Sequence, residues 1–441
     1  MERETHVDLE AVEAALKAGV LAAGAGVLEQ LLEPIGVGRR DAPVRCACGR
    51  RMLSRGVKTK ALLTVLGYTR FERTLFACPR CKQTRFPGDE ALGIVGTSRS
   101  PGVVRLVARF AFKEPFKEAA ADIRETAGIP ISAKDVERIA EGLGREMEVW
   151  MKRERQRLHQ DPEPEGPPIE HLYIEFDGTG VPMVPEAVAG RKGKQSDGSA
   201  KTREAKLGSV FTQTAFNADG KPIRDPASTS FVGAIEDAAA FGPRIYDEAV
   251  RRGLFRARKV TVLTDAAEWN KNLADTYFPM AQHIIDFFHG SQHITALAKA
   301  LFETNPAFAQ RHAEQWADDL YDGRVQTIIK TVQDLLPKDH NRLKDARKEL
   351  NYFVKNADRM RYDRYRAQGM FIGSGVIEAA CKHIVGSRLK QSGMEWTVQG
   401  ANAILALRCA MLSNRFEDFW EYRATPGNII TYPITSASAV A

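Results

Sequence analysis

The chain has 441 residues, 44% of them hydrophobic and 27% charged, too long for one small core and suited to two to four globular domains. No uninterrupted run of 18 apolar residues is present, and Met1–Glu2–Arg3–Glu4 lacks the basic-then-apolar layout of a signal peptide. The expectation is therefore a cytoplasmic protein without a membrane partner, and its formal charge of +7, from 63 Lys and Arg against 56 Asp and Glu, permits nucleic acid without demanding it.

Residues 1–40 read as an N-terminal helical segment, one or two helices broken near Gly19 and Gly24–Gly26. Residues 41–90 form a separate small unit that holds four of the six cysteines, as Cys46–Ala47–Cys48 and Cys78–Pro79–Arg80–Cys81. Two β-rich segments, 58–66 and 68–76, join at Gly67 and would bring the two pairs together. Four thiolates suit one structural Zn²⁺, and a segment with so little core gains folding energy from the metal. This predicts a zinc-ribbon-like domain; four reduced cysteines in a small β unit is the alternative. The many Arg and Lys here suit either a nucleic-acid surface or a solvated face.

Residues 100–158 turn helical. A helix from Pro115, a turn at Gly128–Ile129–Pro130 and a second helix from a Ser132 N-cap fit a helix-turn-helix-like DNA-binding region. Lys134 and Arg138 on the second helix are its candidate phosphate contacts. The proline-dense stretch 159–169 cannot continue a helix and reads as the main linker.

Strand signals dominate beyond the linker, so residues 170–293 predict an α/β domain. An apolar run at 172–176 stops at Asp177, before Gly178 and Gly180. A long strand at 207–216, a turn at 217–220, a helix over 235–252 and a β-rich run at 259–264 ending in Asp265 come next. Residues 294–368 are helical in composition, and 369–423 return to the core through a Gly373–Ser374–Gly375 turn. The helix after that turn carries Glu378 in its first turn; a last helix over 397–419 and a tail at 424–441 complete the chain.

Asp177, Asp265 and Glu378 would make a hard, oxygen-rich site if they converge, of the kind Mg²⁺ or Mn²⁺ prefers. Two such metals activate an attacking hydroxyl and stabilise a leaving oxygen in phosphoryl transfer. Scattered caps and surface acids are the plain alternative. Arg191, Lys192, Lys194, Lys201, Arg203 and Lys206 form a basic, glycine-interrupted segment, suited to a mobile loop tracking a phosphate backbone. Lys382, Arg388 and Lys390 extend positive charge beyond Glu378, with Lys382 able to pair with it.

The blocks IEFDGTGVPM (174–183), GRKGKQSDGSAKTREAKLGSVFTQ (190–213), VLTDAAEWN (262–270), IIDFFHGSQH (284–293) and GSGVIEAACKHIVGSRLKQSGMEWT (373–397) resemble those of bacterial insertion-sequence transposases with a DDE triad. That resemblance implies an RNase H-like, retroviral-integrase-like mixed-sheet core. Asp177, Asp265 and Glu378 match its catalytic acids, and 294–368 looks like the all-helical insertion before the catalytic Glu. His289 and His293 match a recurrent F-H-x3-H feature, which suits a metal-facing surface, a DNA-facing surface or a structural pair. The implied activity is metal-dependent cleavage and strand transfer at element ends, on double-stranded DNA, by a homodimer or higher oligomer. The alternatives are a metal-dependent DNA nuclease on the same fold that does not join strands, and an inactive DNA-binding derivative.

Overall fold

The computed structural model describes residues 8–38, 42–160, 166–336 and 343–425. The chain divides into two compact units, Met1–Glu148 with Arg415–Ala441, and Val149–Asn414. The division falls inside the helix Ala133–Gln160, upstream of the proline-rich stretch, of which Asp161–Glu165 lie outside the described residues.

In the first unit, Leu9–Val37 is one 29-residue helix and not two, because Gly19, Gly24 and Gly26 adopt helical geometry among alanines. It is long and apolar enough to cross a membrane by length and composition, although it contains no uninterrupted run of 18 apolar residues. One face of the helix lies along a three-stranded antiparallel sheet, β1 (Leu53–Thr64), β2 (Gly67–Ala77) and β3 (Thr84–Arg85). Leu32 packs with Leu62, Phe71 and Ile94, and the carboxylates of Glu29 and Glu33 accept the backbone N–H groups of Arg70 (2.6 Å) and Glu72 (3.1 Å). Gly36 permits this approach; a Cβ there would stand 1.9 Å from the Glu72 carbonyl oxygen.

Phe116–Ala127 ends at Gly128 in the left-handed region (φ 68°), and Ser132 Oγ accepts the Asp135 N–H at 3.1 Å, so the two predicted helices and their turn are present. The second is one helix, Ala133–Gln160, that fills the rest of the segment read as helical. Lys134 and Arg138 are exposed on it, each paired with a neighbouring acid, Glu137 (2.8 Å) and Asp135 (3.7 Å). The single last helix predicted over 397–419 is broken at Asn414 (φ 56°) into Val398–Leu412 and Phe416–Ala424. The second piece belongs to the first unit, where Glu417 meets Arg109 (2.7 Å) and Glu146 meets Arg423 (2.8 Å).

The second unit is an α/β core with a mixed sheet. Its strands are β4 (Ile169–Pro182), β5 (Thr202–Phe216), β6 (Pro222–Arg224), β7 (Ser230–Ala234), β8 (Ala257–Thr264) and β9 (Gln282–Ile285). The order is β6-β5-β4-β8-β9, with β7 also on β5. β4 runs antiparallel to β5 and parallel to β8, and β8 parallel to β9. Alternation along β4 sends Leu172, Ile174 and Phe176 into a core with Phe241, Ile245 and Leu273 from the helices Ala238–Arg251 and Glu268–Tyr277. Tyr173, Glu175 and Asp177 point to the other face.

β4 does not stop at Asp177. It continues through both glycines, paired with β5 as a two-stranded arm. Gly178 is extended and not turned; its missing side chain makes room for Glu204 across the pair, whose carboxylate a Cβ would meet at 2.3 Å. What ends near Asp177 is the pairing with β8, last registered at Glu175 and Leu263.

A large all-helical insertion follows β9. The helices Phe287–Leu301, Pro306–Tyr321, Val325–Leu335, Lys344–Asn356 and Tyr362–Ala367 enclose a core that includes Leu297, Trp316, Leu320, Ile328, Phe353 and Tyr362. Its first helix begins before residue 294, so the histidine segment is the insertion's own first turns.

Candidate metal centre

The parallel register aligns three acids. Glu175 pairs with Leu263, so two residues farther along each strand Asp177 and Asp265 stand level. Thr264 pairs with Ile285, so the next residues, Asp265 and Asp286, are level too. Three carboxylates thus share the C-terminal edge of β4, β8 and β9, the edge at which open α/β sheets collect function. Local bonds fix each one. Asp177 Oδ1 accepts the Gly178 N–H (2.7 Å), Asp265 Oδ1 that of Ala267 (2.9 Å), and Asp286 Oδ1 that of His289 (2.7 Å).

Glu378 arrives from the helix Gly375–Ala380. Two buried acids aim that helix: Asp286 accepts both the N–H and the hydroxyl of Ser374 (the latter at 2.8 Å), and Glu175 accepts the Ile377 N–H (2.8 Å). Ligand atoms of Asp286, His289 and Glu378 lie within 4.8 Å of one another. Two carboxylates and an imidazole at that spacing suit a divalent ion such as Mn²⁺, and oxygen donors suit Mg²⁺. Of the predicted triad, this group contains Glu378 alone. Asp177 and Asp265 flank it, and both carboxylates favour the charged form of His289.

The electrostatics fit a crowded acidic site. Burial raises the Asp177 pKa, opposed by the Gly178 N–H and reinforced by the charge of Asp265. Burial pushes Glu175 up to about 8, so it is largely protonated at neutral pH. Burial acts on Asp286 in the same direction, but His289 and the Ser374 donors outweigh it and hold its pKa below the usual value. His289, 3.3 Å from Asp286, is raised above its ordinary value chiefly by that carboxylate. Asp286, Asp265 and Asp177 all favour its protonated form.

The two histidines separate. His293 is one turn farther along, bonded to Glu349 (2.6 Å) and stacked on Tyr352 at a ring separation of 3.6 Å, with no place in the carboxylate group.

After Glu378 the helix widens into a π-turn, Cys381–Gly386, a form that recurs at functional sites. The buried Arg408 guanidinium bonds the carbonyls of His383 and Ile384 there (the latter at 2.7 Å). The Cys381 thiol faces Asp177 Oδ2 at 3.8 Å. One extra residue in a turn rotates the residues beyond it by about 100°, and Arg388 is accordingly fully buried against Trp396 (5.3 Å). That removes Arg388 from the predicted DNA-contact set. Lys206 leaves it too. It lies inside β5 and not in the loop, 6% exposed, bonded to Glu204 and 4.4 Å from the Trp269 ring. Arg191, Lys192, Lys194, Lys201, Lys382 and Lys390 are exposed, and Arg203 half-buried. Lys390 donates to Thr179 on the β4 arm (2.6 Å), and the segment around Lys192 is a hairpin closed by a Gly193-to-Gly198 bond (2.8 Å), where a mobile loop was expected.

Asp286 and Glu175 escaped the sequence reading. Asp286 ends a short apolar run as Asp265 does, but Phe287 and Phe288 follow it at once and hide the strand end in the sequence. An acid inside the otherwise apolar 172–176 run was the available sign for Glu175.

In the first unit, the sulfurs of Cys46, Cys48, Cys78 and Cys81 also lie within 4.8 Å of one another. Cys46 and Cys81 are 3.3 Å apart, Cys48 and Cys78 3.6 Å. Tetrahedral Zn–S bonds of about 2.3 Å imply sulfur separations of about 3.8 Å, so the four cysteines fit zinc. The Cys78 thiol is lowered to about 6, first by the Cys81 N–H, while Cys46 is raised to about 12, so the thiolate is favoured at Cys78 and disfavoured at Cys46.

No protein family and no curated protein matches the chain. Among solved structures it is similar to the Drosophila P element transposase strand transfer complex, at 10% identity over 73% of this chain and 81% of that one, with a TM-score of 0.24. It is also similar to NurA with manganese, at 11% identity over 66% of each chain, with a TM-score of 0.10. Scores this low fix neither family nor fold, and the functional reading rests on the site itself.

Proposed function

We propose that the protein is a DDE-type transposase that cleaves DNA at the ends of a mobile element and joins it to a target, by metal-dependent phosphoryl transfer. The observation that carries the reading is the alignment of Asp177, Asp265 and Asp286 along one sheet edge, with Glu378 aimed at the same edge by two buried acids. Strand order β7-β5-β4-β8-β9, in which β5 alone runs against the others, antiparallel to both β7 and β4, supports an RNase H-like core.

In this reading Asp177, Asp265 and Glu378 would hold two Mg²⁺ or Mn²⁺ ions, which would supply Lewis acidity for phosphoryl transfer. Asp286 and Glu175 position the Glu378 helix. His289, within reach of Asp286 and Glu378, would serve as a further ligand or a phosphate contact. The exposed hairpin cations Arg191, Lys192, Lys194 and Lys201 meet the DNA backbone, and zinc organises the N-terminal sheet. Water is the attacking group in cleavage, a freed 3′-hydroxyl in joining; no covalent protein–DNA bond is needed.

The test is cleavage and joining of end-labelled element DNA in Mg²⁺ or Mn²⁺, with D177N, D265N and E378Q alongside. Loss of both reactions with DNA binding kept is the expected result. Cleavage without joined products leaves a nuclease, and full activity in the three variants refutes the triad.

A further inference from the structure

We propose that the all-helical insertion carries a binding track for the phosphate backbone of a DNA strand, in a basic cleft beside Asp265. The choice of ligand rests on the DNA-transfer reading; the cleft rests on its own geometry.

An open pocket of about 810 Å³ lies between the start of the Glu268–Tyr277 helix and the helix Lys344–Asn356. Six cations line it, Lys271, Lys344, Arg347, Lys348, Lys355 and Arg359, against one acid, Glu268. Some of that charge is committed: Lys271 pairs with Asp275 (2.5 Å), and Arg359 donates to Asn356. Lys344, Lys348 and Lys355 make no ion pair among the described residues. Like charges gathered this way repel one another, a cost that a polyanion relieves.

Their spacing selects the kind of polyanion. Lys344, Lys348, Asn351 and Lys355 recur at helical intervals, so they stand on one face of the helix. From Lys344 to Lys355 the helix rises about 16 Å, a span of about five nucleotides at 3.4 Å each. A single phosphate or one nucleotide cannot engage a row of that length. The row also leads to the chemistry: Ala266, on the cleft wall, directly follows Asp265. A strand lying on these lysines therefore reaches the carboxylate edge. His293 braces the same helix through Glu349 and Tyr352, which gives that histidine a structural part in holding the track.

The experiment is fluorescence-anisotropy binding of the full chain to a labelled DNA duplex of random sequence, across a salt series without Mg²⁺ or Mn²⁺. Lys348→Ala/Lys355→Ala is compared with wild type and with Lys299→Ala/Lys330→Ala, an exposed pair outside the cleft. Each lost phosphate contact flattens the dependence of log K on log salt by about 0.9. The cleft variant should therefore lose about two units of slope and bind about tenfold more weakly at low salt, with the control unchanged. A wild-type slope and affinity in the cleft variant, or equal losses in the control, overturns the proposal. So does inorganic tripolyphosphate protecting the cleft lysines from acetylation while DNA does not. Cleft-dependent binding by a chain that never cuts DNA upholds the track and refutes the transfer reaction; cutting with a cleft variant that binds as wild type does refutes the track alone.

Discussion

Replacing Asp286 by Asn separates the architecture of the site from its chemistry. Asp286 is fully buried and acts as acceptor for the His289 N–H, the Ser374 N–H and the Ser374 hydroxyl. Asn keeps the shape and one acceptor oxygen, so one of the backbone donors must face an NH₂ group. A buried donor left unsatisfied costs about 1–3 kcal/mol, and the loss of charge from the remaining bonds adds about 1 kcal/mol more. The expected destabilisation is about 2–4 kcal/mol, which in a unit of this size lowers Tm by about 4–8 °C. The pH dependence has a definite sign. Asp286 has a lowered pKa, so its contribution holds above its ordinary 3.8 and is lost as pH falls through the lower folded value. His289 has a raised pKa, so its contribution is complete below 6.5 and lost as pH rises through the higher folded value. The deficit of D286N should accordingly be larger near pH 6 than near pH 9. Thermal melts across that range measure it, and NMR titration should show the His289 pKa falling in the variant. An unchanged Tm together with an unchanged His289 titration refutes the anchoring role.

Glu175 titrates in the opposite sense. Its folded pKa of about 8 lies above the ordinary 4.5, so the wild type loses stability as pH rises between those values, and E175Q should flatten that part of the stability curve; a slope equal to wild type's counts against it. Elemental analysis should find one zinc per chain, lost in Cys78→Ser together with resistance of residues 42–100 to proteolysis; full zinc content in that variant removes Cys78 from the ligand set. Gly36→Ala should destabilise the first unit by about 1–3 kcal/mol in urea melts, because its Cβ meets the Glu72 carbonyl oxygen at 1.9 Å; a neutral effect refutes the tight helix-on-strand contact.

What was legible in the sequence came from local rules. Gly128 and Ser132 mark helix ends by conformations that only a few residue types favour, and both act as expected. The cysteine pairs announce their cluster because a short hairpin leaves them few places to go. Errors arose where a second element decided the outcome. Gly178 reads as a turn in isolation, yet it is the cross-strand neighbour Glu204 that needs the space. Lys206 and Arg388 read as surface charge until a long strand and a widened helical turn carry them inward.

The same distinction explains why the candidate metal group, Asp286, His289 and Glu378, differs from the triad read along the chain. An acid that closes an apolar run is visible by its position, as Asp177 and Asp265 are. Whether it meets a ligand depends on register, and register brings in Asp286 as the third member of the row. Glu378 then reaches the site only because Asp286 and Glu175 hold the turn before it. The acids therefore divide into those exposed to a metal and those that fix its holders, and Asp286, which neighbours His289 and Glu378 while bonding Ser374, stands on both sides of that division. Its replacement should thus impair metal binding through geometry as well as through charge. D286N with Mn²⁺ titrated by calorimetry distinguishes the two contributions: Asp286→Glu, which restores charge but displaces the oxygens by a methylene, should bind metal no better than D286N if position dominates.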